Sequence, residues 1–140
     1  MRARVLRGDR GAAAVEFALI VPLLIFLLFG IIEASRLYNA QISITNSARE
    51  AARFTAVHSG VALADIQAQA VGAAPSLTPA LTAAQVAVGY VDSSGVTTTS
   101  CGSGGNVIVT ISYPYSFLFG LLNTNGAITL TGKAMMQCGG

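Results

Sequence analysis

The chain has 140 residues, 53% of them hydrophobic and only 10% charged, against roughly a quarter charged in an ordinary soluble domain. That shortfall excludes a wholly water-exposed globule and asks for a membrane segment. The net charge of +2 is concentrated in Arg2, Arg4, Arg7 and Arg10; beyond Gly11 the balance is Arg36, Arg49, Arg53 and Lys133 against Glu16, Glu33, Glu50, Asp65 and Asp92, so there is no basic, aromatic-interleaved surface and no nucleic-acid partner is expected.

Residues 1–11 read as a basic leader. Ala12 to Ile32 follow as an apolar run in which Glu16 is the only charge; as a helix the run spans roughly 31 Å, close to the ~30 Å hydrocarbon core of a bilayer. Residues 12–32 are therefore expected to form a single transmembrane segment in the cytoplasmic (inner) membrane. Four arginines before it place the N-terminus in the cytoplasm and the rest outside. Pro22 lies inside the span, where it is expected to kink the helix or leave one carbonyl unpaired, as transmembrane helices tolerate when neighbours compensate.

No helix breaker follows Ile32. Ala34, Leu37, Tyr38, Ile44 or Thr45, Ala48, Ala51, Ala52 and Thr55 recur at helical spacing and predict an alanine-rich amphipathic stripe. Glu33–Arg36 and Glu50–Arg53 are i,i+3 pairs that support it. One continuous helix of about 45 residues is expected, ~67 Å long, with 33–60 projecting from the membrane and Gly60 as its C-terminal cap. Residues 61–140 then form an extracytoplasmic sheet domain. Val61 to Ala74 predict a short second helix. Strands are expected at 85–91, 107–113 and 127–136, where apolar residues alternate, and 92–106 reads as turn and loop. The fold class is α+β: a long N-terminal helix, a short second helix and a small antiparallel sheet of three to four strands, as in pilins. The apolar stretch Phe117, Leu118, Phe119, Leu121 and Leu122 either covers the sheet or marks a contact surface.

Cys101 and Cys138 both lie beyond the span. In an oxidising compartment a disulfide between them is the expectation, with two free thiols as the alternative. Two cysteines alone make no zinc site, and neither a metal nor a cofactor is expected. His58, the only histidine, suits the end of a helix dipole. "CGSGGN" at 101–106 lacks the lysine and strand-to-helix setting of a phosphate loop and reads as a hairpin turn. Gly30 and Ala34 form a small-xxx-small pair that lets helices approach closely. No acid–base pair is visible, so an enzyme is not expected.

Glu16 is the feature that the apolar run does not explain. A carboxylate one turn inside a span can snorkel to the interface. Yet Gly11 stands five residues before it, with a basic leader ahead and the apolar run around it. This G-x-x-x-x-E arrangement resembles the processing site of type IV prepilins. The resemblance implies cleavage after Gly11 by a prepilin peptidase, Ala12 as the new N-terminus, and Glu16 as the fifth mature residue. It also implies that Glu16 pairs with the amino group of a neighbouring subunit. No small-residue cleavage site follows the run, so the helix should be retained rather than removed as a secretory signal.

The stretch 10–53 is more specifically similar to the TadE/TadG pilus-assembly family, through "AAVEFAL", Pro22, "GIIE", Arg36 and "AREAAR". The tail resembles members in "VTISYPY", 109–115, and "ITLTGKAMM", 128–136. Phe17 departs from the tyrosine that follows the glutamate in processed pilins of this system; it keeps the ring and loses the hydroxyl. The resemblance implies a membrane-anchored minor pilin or pseudopilin of a tight-adherence (Flp-type IV) pilus. Its partners would be the bilayer, a prepilin peptidase, other pilin-like subunits and the assembly platform, with Glu16 and Phe17 as the assembly contact. The competing reading is an uncleaved single-pass protein that displays a small binding domain.

Overall fold

The computed structural model describes residues 9–58, 60–118 and 127–139. It divides into two compact units, Met1–Ser35 and Arg36–Gly140. Helix α1, Asp9–Val57, contributes to both and carries Pro22 in its interior. The expected single continuous helix is thus observed, starting two residues before Gly11.

Over residues 11–32 of α1 every side chain is exposed save Val21 and Phe29, which are half-buried, while Glu33 is buried at 4% exposure. Leu19 and Leu23 are each at least 70% exposed, and Phe17, Phe26, Leu27 and Ile31 are exposed with them. Among the described residues α1 is the one helix long and apolar enough to cross a membrane, and none of its most apolar window is buried by protein. A helix that is apolar on every side and uncovered by protein has lipid as its stable environment.

The second unit contains the remainder of α1, helix α2 (Leu63–Gly72), a 3₁₀ turn (Ala83–Gln85) and strands β1 (Val86–Val91), β2 (Thr97–Thr98), β3 (Asn106–Ser116) and β4 (Ala127–Gln137). The sheet order is β2-β1-β3-β4, antiparallel throughout. The period-2 pattern of β3 works as read: Val107, Val109, Ile111, Tyr113 and Tyr115 are buried, and residues between them face outward. They meet Ile44, Ala48, Ala51 and Ala52 of α1 and Ile66 and Ala70 of α2 in one core. Small residues on α1 let helix and sheet approach closely. Gly132 of β4 is a point of close approach, for a Cβ there would lie 2.7 Å from the Ile44 carbonyl oxygen.

The chain is pinned along α1 at three levels. The Gly139 N–H donates to the Ala56 carbonyl (2.9 Å), Gly132 abuts Ile44, and the Tyr115 ring lies under the Arg36 guanidinium, 5.7 Å from centroid to Cζ. Strand β3 therefore runs back along α1 toward Arg36. Helix α2 and its following loop run the same way, with the Ser47 hydroxyl donating to the Ala70 carbonyl and Ser43 bonded to Ser76.

Several expectations need correction. The 92–106 segment contains a short strand, β2, paired to β1 at Tyr90↔Thr98 and Val91↔Thr97. Its turn is built by the Asp92 carboxylate, which accepts from the Ser94 and Val96 N–H groups at 2.8 Å each. "CGSGGN" is consequently not a hairpin turn. It carries the chain from β2 to β3, which flank β1 on opposite sides. Strand β3 also runs through Pro114 to Ser116. Strand β1 stops opposite Ile111, so beyond that point β3 has a free edge, where proline is tolerated. On α1, Tyr38 faces solvent at 70% exposure and Ala34 is exposed, whereas Ala40 and Ser47 join the buried stripe. Small and hydroxylated residues blur the edge of such a stripe in sequence.

Candidate functional site

Gly11, Ala12, Glu16 and Phe17 lie within two turns of α1. Ala12 and Glu16 are four residues apart and share one stripe of the helix with Leu19, Ile20 and Leu23. All these positions are exposed, as is Phe17 on the adjoining face. The arrangement is a carboxylate at one end of a long apolar stripe. In a bilayer such a group costs free energy alone and much less when it meets a cation on a neighbouring helix. The Gly11–Ala12 peptide belongs to the first turn of α1, so a protease that binds an extended strand must first unwind that turn. Glycine makes unwinding easier by roughly 0.5–1 kcal/mol relative to alanine. Arg2, Arg4 and Arg7 lie outside the described residues.

Gly30 and Ala34, further along α1, are both exposed and leave a shallow, unoccupied face. The cysteines belong to the other unit, where Cys101 and Cys138 form a disulfide with Cα atoms 5.6 Å apart. It fastens the β2–β3 connection to the residue after β4, beside the Gly139–Ala56 bond.

The remaining candidates have structural roles. His58 closes α1: its backbone N–H donates to the Phe54 carbonyl, its Nδ1 lies 3.0 Å from that same oxygen, and its ring packs on Phe54. Gly60 follows with φ +76°, the left-handed geometry of a helix C-terminus. Arg53 and Glu50 form a bidentate pair at 2.8 and 3.2 Å, which lowers the Glu50 carboxyl and raises the Arg53 guanidinium from their ordinary values. Among the described residues no three His, Cys, Asp or Glu side chains come together as metal ligands. Phe117 is half-buried, edge-on to Tyr115 at 5.5 Å, and Leu118 is 59% exposed; Phe119, Leu121 and Leu122 lie outside the described residues.

Two features escaped the sequence reading. A cavity of about 100 Å³ is lined by Arg36, Asn39, Ser76, Thr78, Tyr113 and Tyr115 among others, and the Tyr113 hydroxyl donates to the Pro79 carbonyl at 2.7 Å. Burial raises the Tyr113 phenol above its ordinary value, and the Arg36 charge works against that rise. Arg36 was legible as a helix residue. Its stacking on Tyr115, 79 positions away, has no local signal.

Residues 11–53 match the family model described as TadE-like protein. The matched stretch begins at the glycine of the G-x-x-x-x-E segment and ends with "AREAAR", so the family resemblance holds over this part of the chain; the β3 and β4 sequences lie beyond it. No curated protein and no solved structure matches the chain.

Proposed function

We propose, from the TadE-like segment at residues 11–53, that this chain is a membrane-anchored minor pilin or pseudopilin and a structural, non-catalytic part of a tight-adherence (Flp-type IV) pilus machine. The observation that carries the reading is the coincidence of the family match with an uncovered apolar helix bearing Glu16 near its start. Residues 12–32 span the cytoplasmic membrane with the leader inside, and the sheet domain is extracytoplasmic. A prepilin peptidase removes residues 1–11. The Ala12 amino group of one subunit then meets the Glu16 carboxylate of another as helices pack, with Phe17 and the Gly30–Ala34 face completing the contact. Partners are other pilin-like subunits and the assembly platform.

The test is the intact mass and N-terminal sequence of the protein purified from its native membrane. A chain that begins at Ala12 supports the reading. A chain that still carries Arg2 to Gly11 removes the cation that Glu16 requires and favours an uncleaved single-pass protein displaying a small binding domain.

A further inference from the structure

The disulfide joins two unlike sulfurs. Cys138 is 4% exposed. Its N–H donates to the Gly105 carbonyl at 2.8 Å, and the N–H of the next residue donates to Ala56, so the backbone is pinned on both sides of it. Cys101 is half-buried and stands in the β2–β3 connection, where Thr99, Ser100, Gly102 and Ser103 are exposed.

Cys101 also lines a cavity of about 250 Å³, together with Thr55, His58, Tyr90, Thr99 and Ser100 among others. The lining offers hydroxyls, a phenol and an imidazole, and among the described residues it holds no carboxylate. Asp92, in the neighbouring turn, spends its carboxylate on the Ser94 and Val96 N–H groups. The nucleophile of thiol–disulfide exchange is a thiolate. Such an anion meets no fixed negative charge in this cavity.

Two effects compete over which sulfur is attacked. Attack runs along the S–S axis and needs free space behind the sulfur, which favours Cys101. Leaving-group chemistry opposes it, because the expelled Cys138 thiolate is stranded in a buried, poorly solvating place. Access decides which sulfur reacts, since an enclosed one is reached only after local opening of the fold. The poor leaving group decides how long the product lasts. With Cα atoms 5.6 Å apart, Cys138 stays within reach of Cys101 and re-forms the bond.

We propose that Cys101 is the site at which this protein exchanges with a low-molecular-weight thiol or disulfide, and that Cys138 is the resolving thiol. In the opening direction, the incoming thiolate bonds to the Cys101 sulfur, the Cys101–Cys138 bond breaks, and Cys138 leaves as a thiolate. In the closing direction, the Cys101 thiolate attacks a small disulfide and releases one thiolate; Cys138 then attacks the Cys101 sulfur and releases the other. The small disulfide gains two electrons and the cysteine pair loses them. The cavity volume lies near the lower end of those that hold small ligands, which suits a peptide-sized thiol.

Lys133 is the only lysine or arginine beyond Arg53. Trypsin therefore separates Cys101, on residues 54–133, from Cys138, on residues 134–140. The full chain in detergent is incubated with reduced glutathione, quenched with acid, unfolded in urea and capped with N-ethylmaleimide. Mass spectrometry should find glutathione on 54–133 and maleimide on 134–140, in excess over the reverse pattern by about tenfold or more. A chain unfolded in urea before glutathione is added should show the two patterns near parity. Equal labelling in the folded chain, or glutathione mainly on 134–140, overturns the proposal. So does a folded chain that takes up no glutathione where the unfolded chain does, because both sulfurs are then closed.

Discussion

Glu16 shows how a single residue can carry a functional reading. On the snorkelling view its carboxylate is an interfacial ornament; on the assembly view it is the anionic half of an intersubunit pair. Glu16→Ala removes the charge and should leave membrane insertion intact, since it makes the span more apolar. Co-purification with pilin-like partners should be lost, and normal pilus output from the variant would sink the assembly role. Gly132 poses a steric question. Its missing Cβ is what admits the Ile44 backbone, so Gly132→Ala must push α1 from the sheet and should destabilise the domain by about 1–3 kcal/mol, read as a lowered denaturation midpoint in detergent. Tyr113 adds a pH dependence. Its phenol is raised by burial, and Tyr90 is raised for the same reason. A raised acid holds its proton more tightly in the folded state, so the stabilisation is complete below the ordinary tyrosine value of ~10 and is lost as pH climbs through the folded value. Tyr113→Phe should cost about 1 kcal/mol at neutral pH by stranding the Pro79 carbonyl. It should also flatten, without abolishing, the alkaline loss of stability seen by near-ultraviolet circular dichroism.

At the scale of elements, periodicity made the long helix and the principal strands legible. Alternation along 107–113 was readable because one face is fully buried, and a continuous helix was readable because nothing between Ile32 and Val57 breaks it. What failed depended on long-range partners. Strand β2 is two residues long and exists only because β1 lies beside it. Pro114 is allowed in β3 only because β1 has already ended. The disulfide was readable as a possibility from compartment logic, whereas its neighbour, the Gly139–Ala56 bond, was not. Together they tie the sheet's last residue and the β2–β3 connection to the end of α1. Replacing both cysteines by serine should release about 4 kcal/mol of chain-entropy constraint across a separation of 37 residues. For a small domain of stability near 5–15 kcal/mol, limited proteolysis should then cut first in 101–106 and after Gln137, where the covalent tie is gone.

At the scale of the whole molecule, charge, span and disulfide depend on one another. On the proposed topology the arginines at positions 2, 4, 7 and 10 would act before the domain folds, because loops rich in Lys and Arg resist translocation. The cysteines would record the outcome, because a disulfide persists in an oxidising compartment and not in a reducing one. Replacing Arg2, Arg4, Arg7 and Arg10 by glutamate removes the bias proposed to hold the N-terminus inside, and no cluster of positive charge immediately follows Ile32 to oppose inversion; Arg36 alone stands there. In cells, the native chain should resist alkylation by a thiol reagent until reduced. The charge-reversed chain should contain a fraction whose Cys101 and Cys138 are alkylated without reduction, since its sheet domain stays in the cytoplasm. If the chain is processed as proposed, that fraction should also lose cleavage after Gly11, because the site would have moved away from a peptidase that works on the cytoplasmic face. A charge-reversed chain that remains fully oxidised would mean that the leader does not set orientation, and that the folding domain, not the arginines, decides which side of the membrane it occupies.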